Sequence, residues 1–498
     1  MADFQSSPDG ALFELVARGK KDTFFFNKNP EEASLPFNPP YLPSEPFLSE
    51  TRFTVPKTPT LWGRALEFEV EVFGDILREL TLKIDMPTWL PDLPLIQGQQ
   101  AVSPQNVNQC CLIRQDPSTD PRSTADPTYG WTNGIGAFLF ESIELLQDKI
   151  RILELSGDAL FFLQNTESTN GQAFLRQRQL GEHGGSNIEI GRNATPGTLY
   201  LRLPWPGAAT DEEPGFPLVA ASDQTWRIRL KLRPLEQLLE TSRTSETTVI
   251  KGDPFQKNFY YTDLEGNTIT FQSKTKATLP TPTIQLLTRQ SYIRDQLRQV
   301  AQKARYEIPF RRFFPQTFNI GEPDYTPFNR DPAAVAPPIV PILRRLEAVH
   351  PAGRLLFTFR SQNALNTGRL ATTLNPLSTS PNGQFYNNAK LIIAGQDRED
   401  LYPPLIWQDL QSSYKDDRYP GEARRQAAFN WTACEPTTRA PTGTVNFSTA
   451  DRPNIYIELQ NTLSDPATEQ RTTQLLTVVE SWDTYVISEG RAYVKFFN

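Results

Sequence analysis

Trp131–Asn165 reads WTNGIGAFLFESIELLQDKIRILELSGDALFFLQN. Two apolar-rich strands, Phe138–Leu146 and Ile150–Leu155, flank the polar break Gln147-Asp148-Lys149. Ser156-Gly157-Asp158 then forms a cap-like cluster ahead of the short apolar run Ala159–Leu163, which reads as one or two helical turns. The unit is strand, turn, strand, short helix.

The outline returns in Asn388–Tyr414, NAKLIIAGQDREDLYPPLIWQDLQSSY. There the strand Ala389–Ala394 meets Gly395-Gln396-Asp397-Arg398, and Trp407–Tyr414 follows as a helical turn. This reading puts Gln147-Asp148-Lys149 and Gln396-Asp397-Arg398 in one equivalent turn. The alternating segments Gln224–Leu232, QTWRIRLKL, and Arg452–Leu459, RPNIYIEL, each follow a loop and each read as a late strand of a copy. A β unit used twice implies two similar β domains in tandem.

Bulk properties agree. The chain has 498 residues, room for roughly three domains of ordinary size or equally for two large β sandwiches, with 43 Pro and 31 Phe. Proline at that level disfavours long helices and central strands, while the aromatic content argues against disorder. Many short strands joined by proline-bearing loops remain. The net charge of -7, without blocks of like charge, predicts no nucleic-acid-binding face. The 3 Cys, with Cys110 and Cys111 adjacent and Cys434 distant, provide neither a disulfide framework nor zinc spacing. The start MADFQSSPDG has no basic n-region, and no apolar run approaches about 20 residues, so neither a signal peptide nor a membrane span is expected.

In chain order, residues 1–22 read as an N-terminal arm. Residues 23–290 form a first β domain whose strands include Thr23–Phe26, Ala65–Phe73, Leu77–Asp85, Gly197–Pro204, Thr225–Leu232 and Ile284–Leu287. The sequence Asn258–Phe271 reads as a hairpin turning at Glu265-Gly266-Asn267, and Gln164–Gly191 as irregular chain. Ile293, Leu297, Val300, Ala301 and Ala304 share one helical face, so residues 291–305 are the connecting helix. Residues 306–498 form a second β domain, with strands at Tyr306–Phe314 and Arg354–Arg360 and a final Tyr485–Phe497 segment turning at Gly490. Pro315–Pro341 reads as a proline-rich loop, and His350-Pro351-Ala352-Gly353 as a turn.

Catalytic motifs are missing: no phosphate loop, GxGxxG, HExxH, CxxC or GxSxG occurs. The 2 His are read as an exposed loop residue, His183, and a turn residue, His350. Asp211-Glu212-Glu213, Asp397/Glu399/Asp400 and Asp416-Asp417 are read as solvated loop charge in preference to paired glycosidase acids or calcium ligands. Sequons stand at Asn193, Asn430 and Asn446; chance occurrence is the favoured reading of all three. No catalytic residue, cofactor or metal is assigned.

Several segments, taken in order, resemble the major capsid proteins of nucleocytoplasmic large DNA viruses, the iridovirus, phycodnavirus and African swine fever virus types. They are Leu15–Pro30, Trp131–Leu163, Pro217–Ala220 with Trp226–Leu235, His350-Pro351 with Leu355–Gln362, Asn388–Arg398, and Gly443–Asp451. Departures are Thr449-Ala450, where the family usually has Arg-Ile, a more basic turn around Lys20, and residues 241–283, which have no recognised counterpart.

The resemblance implies an all-β double jelly-roll, two tandem eight-stranded sandwiches with a short connecting helix. It further implies a homotrimer that forms a pseudo-hexameric capsomer in an icosahedral virion shell assembled in the host cytoplasm. Implied partners are neighbouring capsomers and minor capsid and penton proteins, with no direct nucleic acid and at most indirect contact with an inner viral membrane. The competing class is a carbohydrate-binding or carbohydrate-active β-sandwich protein, and a minor capsid or fibre protein is a third reading. Proline-bearing loops suit contact surfaces because they have little entropy to lose on ordering. Residues 1–22 and 29–59 are expected to touch neighbours, and loops 91–130, 164–196 and 241–283 to face outward.

Overall fold

The computed structural model of the protein describes residues 48–89, 114–115, 129–167, 178–183, 189–190, 193–208, 215–241, 255, 258–262, 268–272, 274–325, 339–361, 364–365, 367–371, 386–398, 400–407, 427–431, 443–449, 453–460 and 473–495. The expected arm 1–22, the strand Thr23–Phe26, all three cysteines, Glu399 and the clusters at 211–213 and 416–417 lie outside these residues.

The first half supplies β1 (Leu48–Thr54), β2 (Ala65–Glu69), β3 (Ile76–Asp85), β4 (Arg114–Gln115), β5 (Tyr129–Trp131), β6 (Phe140–Gln147), β7 (Ile150–Leu155), β8 (Thr198–Arg202), β9 (Trp226–Leu232), β10 (Leu239–Thr241), β11 (Asn258–Thr262), β12 (Thr268–Gln272) and β13 (Thr283–Tyr292). Helices α1 (Ile135–Phe138) and α2 (Gly157–Glu167) flank the β6–β7 hairpin, and α3 (Asp295–Lys303) follows β13. The second half supplies β14 (Tyr306–Ile320), β15 (Ile339–Arg345), β16 (Pro351–Ser361), β17 (Tyr386–Ile393), β18 (Gln396–Asp397), β19 (Ala427–Asn430), β20 (Val445–Asn446), β21 (Asn454–Gln460), β22 (Thr473–Ser488) and β23 (Arg491–Val494).

Strand order shows that the halves are copies. In the first, one sheet runs β1-β13-β3-β8 and the facing sheet β2-β9-β6-β7; in the second, the sheets run β14-β22-β16-β19 and β15-β21-β17-β18. Taking the strands of each half in chain order, the two pairs of lists are the same. Every pairing is antiparallel, and each late strand lies beside its hairpin: β9 against β6, β21 against β17.

Alternation fills the two interiors. Phe68, Ile143, Ile228 and Leu230 meet Leu82, Ile84 and Leu286 in the first core. Val340, Leu391, Ile455 and Ile457 meet Leu355, Phe357, Phe359 and Leu475 in the second.

Several expectations are corrected. Pro315 does not open a loop: β14 runs from Tyr306 to Ile320 through Pro309 and Pro315, and Pro341 lies inside β15. Both are edge strands with one ladder partner each, β22 and β21, so a missing N–H can point away from the ladder. His350 is the residue at positive φ, 72°, and Pro351 already belongs to β16.

The turn equivalent to Asp148-Lys149 is Ala394-Gly395, not Gln396-Asp397-Arg398, because Ile393 pairs with Gln396 across two residues with φ 54° and 74°. Strand β22 begins at Thr473, upstream of the expected Tyr485, because it is buried on both faces and shows no polar alternation. Ser291 and Tyr292 end β13, and helix α3 has no buried residue; Leu297 and Val300 are exposed. Helix α2 extends to Glu167, and short helical turns occupy 178–180 and 189–190 within the segment read as irregular.

Candidate functional site: the junction between the two sandwiches

The described residues contain no group of three or more His, Cys, Asp or Glu placed to hold a metal, and no helix long and apolar enough to cross a membrane. Asp397 is exposed and paired with Lys390 at 2.8 Å, while Asp400 accepts from the Tyr402 hydroxyl at 3.4 Å.

His183 is not an exposed loop residue: its side chain is buried, with Nε2 3.4 Å from Glu240 Oε2. Its backbone N–H donates to Asn133 Oδ1 and its carbonyl accepts from Asn133 Nδ2. His350 is buried as well. Arg312 Nη1, which can only donate, lies 2.9 Å from His350 Nε2, so that nitrogen is the acceptor and the ring is neutral. Burial lowers the His350 pKa, Asp483 opposes the shift and Arg312 adds to it. Both histidines brace structure.

Of the sequons, Asn193 is buried, and its Nδ2 donates to Trp131 O at 2.7 Å and to Thr132 O at 3.3 Å. Asn430 lies in β19 opposite Arg354. Asn446 lies in β20, where its Oδ1 accepts from the Ser448 N–H at 3.0 Å.

The most elaborate chemistry lies where the sandwiches meet. Residues Ala352–Arg360 of β16 are all buried, as is nearly all of β22. Their inward side chains, Leu355, Phe357 and Phe359, fill the second core. Their outward Leu356, Leu476 and Val478 join the first. The outward face of this sheet is therefore covered by the first sandwich.

At its centre Asp158, in the first turn of α2, accepts from Arg360 Nη2 at 2.6 Å and from Arg233 Nη2. Burial alone would raise the Asp158 pKa, but the two guanidinium groups outweigh it and hold the carboxyl at about 2. Arg360 also stands 5.7 Å from the Phe138 ring centroid. On the same outward face Arg354 Nε donates to Glu480 Oε2 at 2.6 Å, with both side chains buried.

A second anchor is aromatic. Tyr485 of β22 packs on Phe216 and Trp226 at ring-centroid distances of 5.7 and 6.1 Å, and its hydroxyl bonds Gln147. Gln147 Nε2 also reaches Ala492 O on β23, whose N–H donates to Gln224 Oε1 at 2.7 Å. Glu489 and Gly490, at φ 53° and 78°, turn β22 into β23; a side chain at Gly490 would come within 2.9 Å of Asp223 Oδ2. A third anchor joins Thr132 Oγ1 to Gly368 O at 2.7 Å and Glu240 to Arg369 at 3.6 Å. Between the edge strands β7 and β14 the junction leaves a groove of about 310 Å³ lined by Arg151, Glu154, Arg312, Phe314 and Glu347.

Sequence reasoning missed Asp158, Arg233, Arg360, Arg354 and Glu480 as one junction. The available signal was charge inside apolar strands, RLLFTFR and LLTVVESWD, where a solvated arginine or glutamate has no place.

Eight-stranded antiparallel sandwiches of this strand order are jelly-rolls, and two in tandem make the chain a double jelly-roll. The same fold is found in PBCV-1 VP54, in a crystal structure fitted into a cryo-EM reconstruction of the virophage Sputnik; the TM-score is 0.64 at 14% identity, covering 93% of this chain and 100% of that one. It is found again in a quasi-atomic model of the PBCV-1 virus capsid (TM-score 0.62, 13% identity, 93% and 100% covered) and in the Faustovirus major capsid protein (0.57, 12%, 94% and 94%). No family model matches the chain, and no curated protein matches it in sequence.

Proposed function

We propose that the chain is a non-enzymatic major capsid subunit, three copies of which form a pseudo-hexameric capsomer that tiles an icosahedral virion shell. The observation that carries this reading is the duplication: two sandwiches of one strand order, mated through a buried sheet face, in a fold shared with viral capsid proteins over nearly its whole length. Three chains of two equivalent units present six near-equivalent edges, and a heterologous contact between such chains closes into a ring when its rotation allows.

In this reading the chain divides into the arm 1–22, a first jelly-roll 23–290, the connector 291–305 and a second jelly-roll 306–498. Its partners are neighbouring capsomers and minor capsid and penton proteins, without direct nucleic acid. It works in the virion after assembly in the host cytoplasm. Light scattering on the full chain tests the reading: a particle of three chains supports it. A well-folded monomer at every concentration and salt overturns it and favours the carbohydrate-binding alternative, which glycan-binding assays then address.

A further inference from the structure

Edge strand β14 is tied to the loop before β16 by a buried contact between Arg312 and His350. The backbone of His350 is fixed from both sides: its N–H donates to Ser448 Oγ at 2.8 Å, and its carbonyl accepts from Phe447 N–H at 3.1 Å. Its φ of 72° is a conformation that a histidine keeps only where the surroundings hold it. Two charged groups stand against its Nε2, Arg312 Nη1 of β14 at 2.9 Å and Asp483 Oδ2 of β22 at 3.5 Å. Arg312 Nη1 also donates to Asp483 Oδ2 at 3.1 Å. The remaining neighbours named by the structure, Phe314, Phe447 and Ser448, carry no charge.

One carboxylate therefore serves one guanidinium and one imidazole. While the imidazole is neutral the set is closed, because Nε2 accepts from Arg312 and Asp483 neutralises the guanidinium. A proton on Nε2 turns that acceptor into a donor and leaves two cations 2.9 Å apart beside a single carboxylate. One of them has to move. The His350 side chain is 3% exposed and that of Arg312 18%. Arg312 already lines the groove between β7 and β14, with its guanidinium 5.7 Å from the Phe314 ring centroid. Of the carboxylates in that groove, Glu154 is held by Arg151 at 2.6 Å, and Glu347, on the loop that carries His350, is exposed.

We infer that His350 is an acid-operated latch on the junction: protonation at Nε2 gives Asp483 to the imidazolium, sends the Arg312 guanidinium into the groove toward Glu347, and loosens β14 from the His350 loop. A neighbouring tie between the same strand and loop, Glu347 N–H to Gln316 Oε1 at 2.9 Å, opens with it. Burial keeps the His350 pKa below the ordinary 6.5, with Asp483 opposing and Arg312 adding to the shift. A histidine depressed in this way supports the closed state above 6.5, and the support is lost as pH falls through the lowered value.

The test is hydrogen–deuterium exchange by mass spectrometry on the full chain, wild type and His350→Gln. Exchange is compared at about pH 7.5 and about pH 5, which bracket histidine titration, after correction for the intrinsic pH dependence of the amide rates. Glutamine accepts from Arg312 through Oε1 and takes no charge. Wild-type peptides within 306–320 and 346–350 are expected to lose protection in acid, about tenfold for each pH unit between 6.5 and the lowered value. The β6–β9 and β17–β21 ladders keep theirs, and His350→Gln keeps its protection throughout.

Protection of 306–320 that acid leaves unchanged in the wild type overturns the inference. So does an equal loss in His350→Gln, or a loss spread evenly over every strand. If the glutamine variant fails to fold, His350→Asn, which tolerates positive φ, takes its place, and the wild-type response in 306–320 still decides. Exchange is read strand by strand, so a failure here leaves the capsomer reading standing.

Discussion

Strands β3 and β13 of the first sandwich and β16 and β22 of the second hold the same places in the same sheet, yet they live in different surroundings. The first pair is buried on one face, with Lys83, Gln285 and Arg289 pointing out; the second is buried on both, with Leu356, Leu476 and Val478 outward beside the ion-paired Arg354, Glu480 and Arg360. One topology thus serves as a half-wet sheet and as an interior sheet, and the outward residues alone mark the change.

The strongest way to break the comparison is at a strand with neighbours on both sides. Strand β17 lies between β21 and β18, and Leu391 is fully buried, its carbonyl accepting from Arg398 N–H at 3.0 Å. Leu391→Pro removes a core leucine, worth about 2–5 kcal/mol, and breaks a ladder in the same step. The expected outcome is loss of the cooperative denaturant transition and of soluble chain.

Next comes the junction. Arg360→Ala leaves Asp158 with one guanidinium instead of two and empties a buried site, for an expected loss of about 3–5 kcal/mol by chemical denaturation. The equivalent change, Lys83→Ala on the open face, is expected to cost the isolated chain less than about 1 kcal/mol, since its partner Asp85 is 39% exposed. Equal losses would show that the two faces are not in different surroundings.

Acid sharpens the same point. The Asp158 carboxyl has a pKa of about 2 in the fold against an ordinary 3.8, so its contribution is full above about pH 4 and is lost as pH falls through about 2. The difference amounts to about 2 kcal/mol at one position. Denaturation midpoints measured between pH 5 and pH 2 are expected to fall more steeply for the wild type than for Asp158→Asn.

The repeat was legible because hairpins announce themselves locally: Gln147-Asp148-Lys149 and Gly395-Gln396-Asp397-Arg398 break apolar runs, although the second turn itself lies at Ala394-Gly395, and Gln224–Leu232 and Arg452–Leu459 alternate cleanly. The strands that were misread lack such signs. Strand β22 has no polar period because both faces are covered, and β14 carries two prolines that read as loop when their edge position is unknown. The junction was illegible for a deeper reason. Asp158, Arg233 and Arg360 are as far as 202 residues apart, and no local pattern tells a partnered buried arginine from a solvated one.

The smallest effect concerns β2, which sequence alternation extends to Phe73 and makes a central strand, so that proline anywhere in Phe68–Val72 is expected to prevent folding. The structure ends β2 at Glu69 and gives it one neighbour, β9. Val70 N–H donates inward to Trp226 O at 2.9 Å, so by alternation the Glu69 N–H points away from β9. Glu69→Pro then sacrifices no ladder bond, only a surface pair with Lys57 and some backbone fit. The expected cost is about 1 kcal/mol or less, against complete loss of folding for Leu391→Pro. A cost for Glu69→Pro that approaches the Leu391→Pro result would mean that β2 has a second strand beside it in solution.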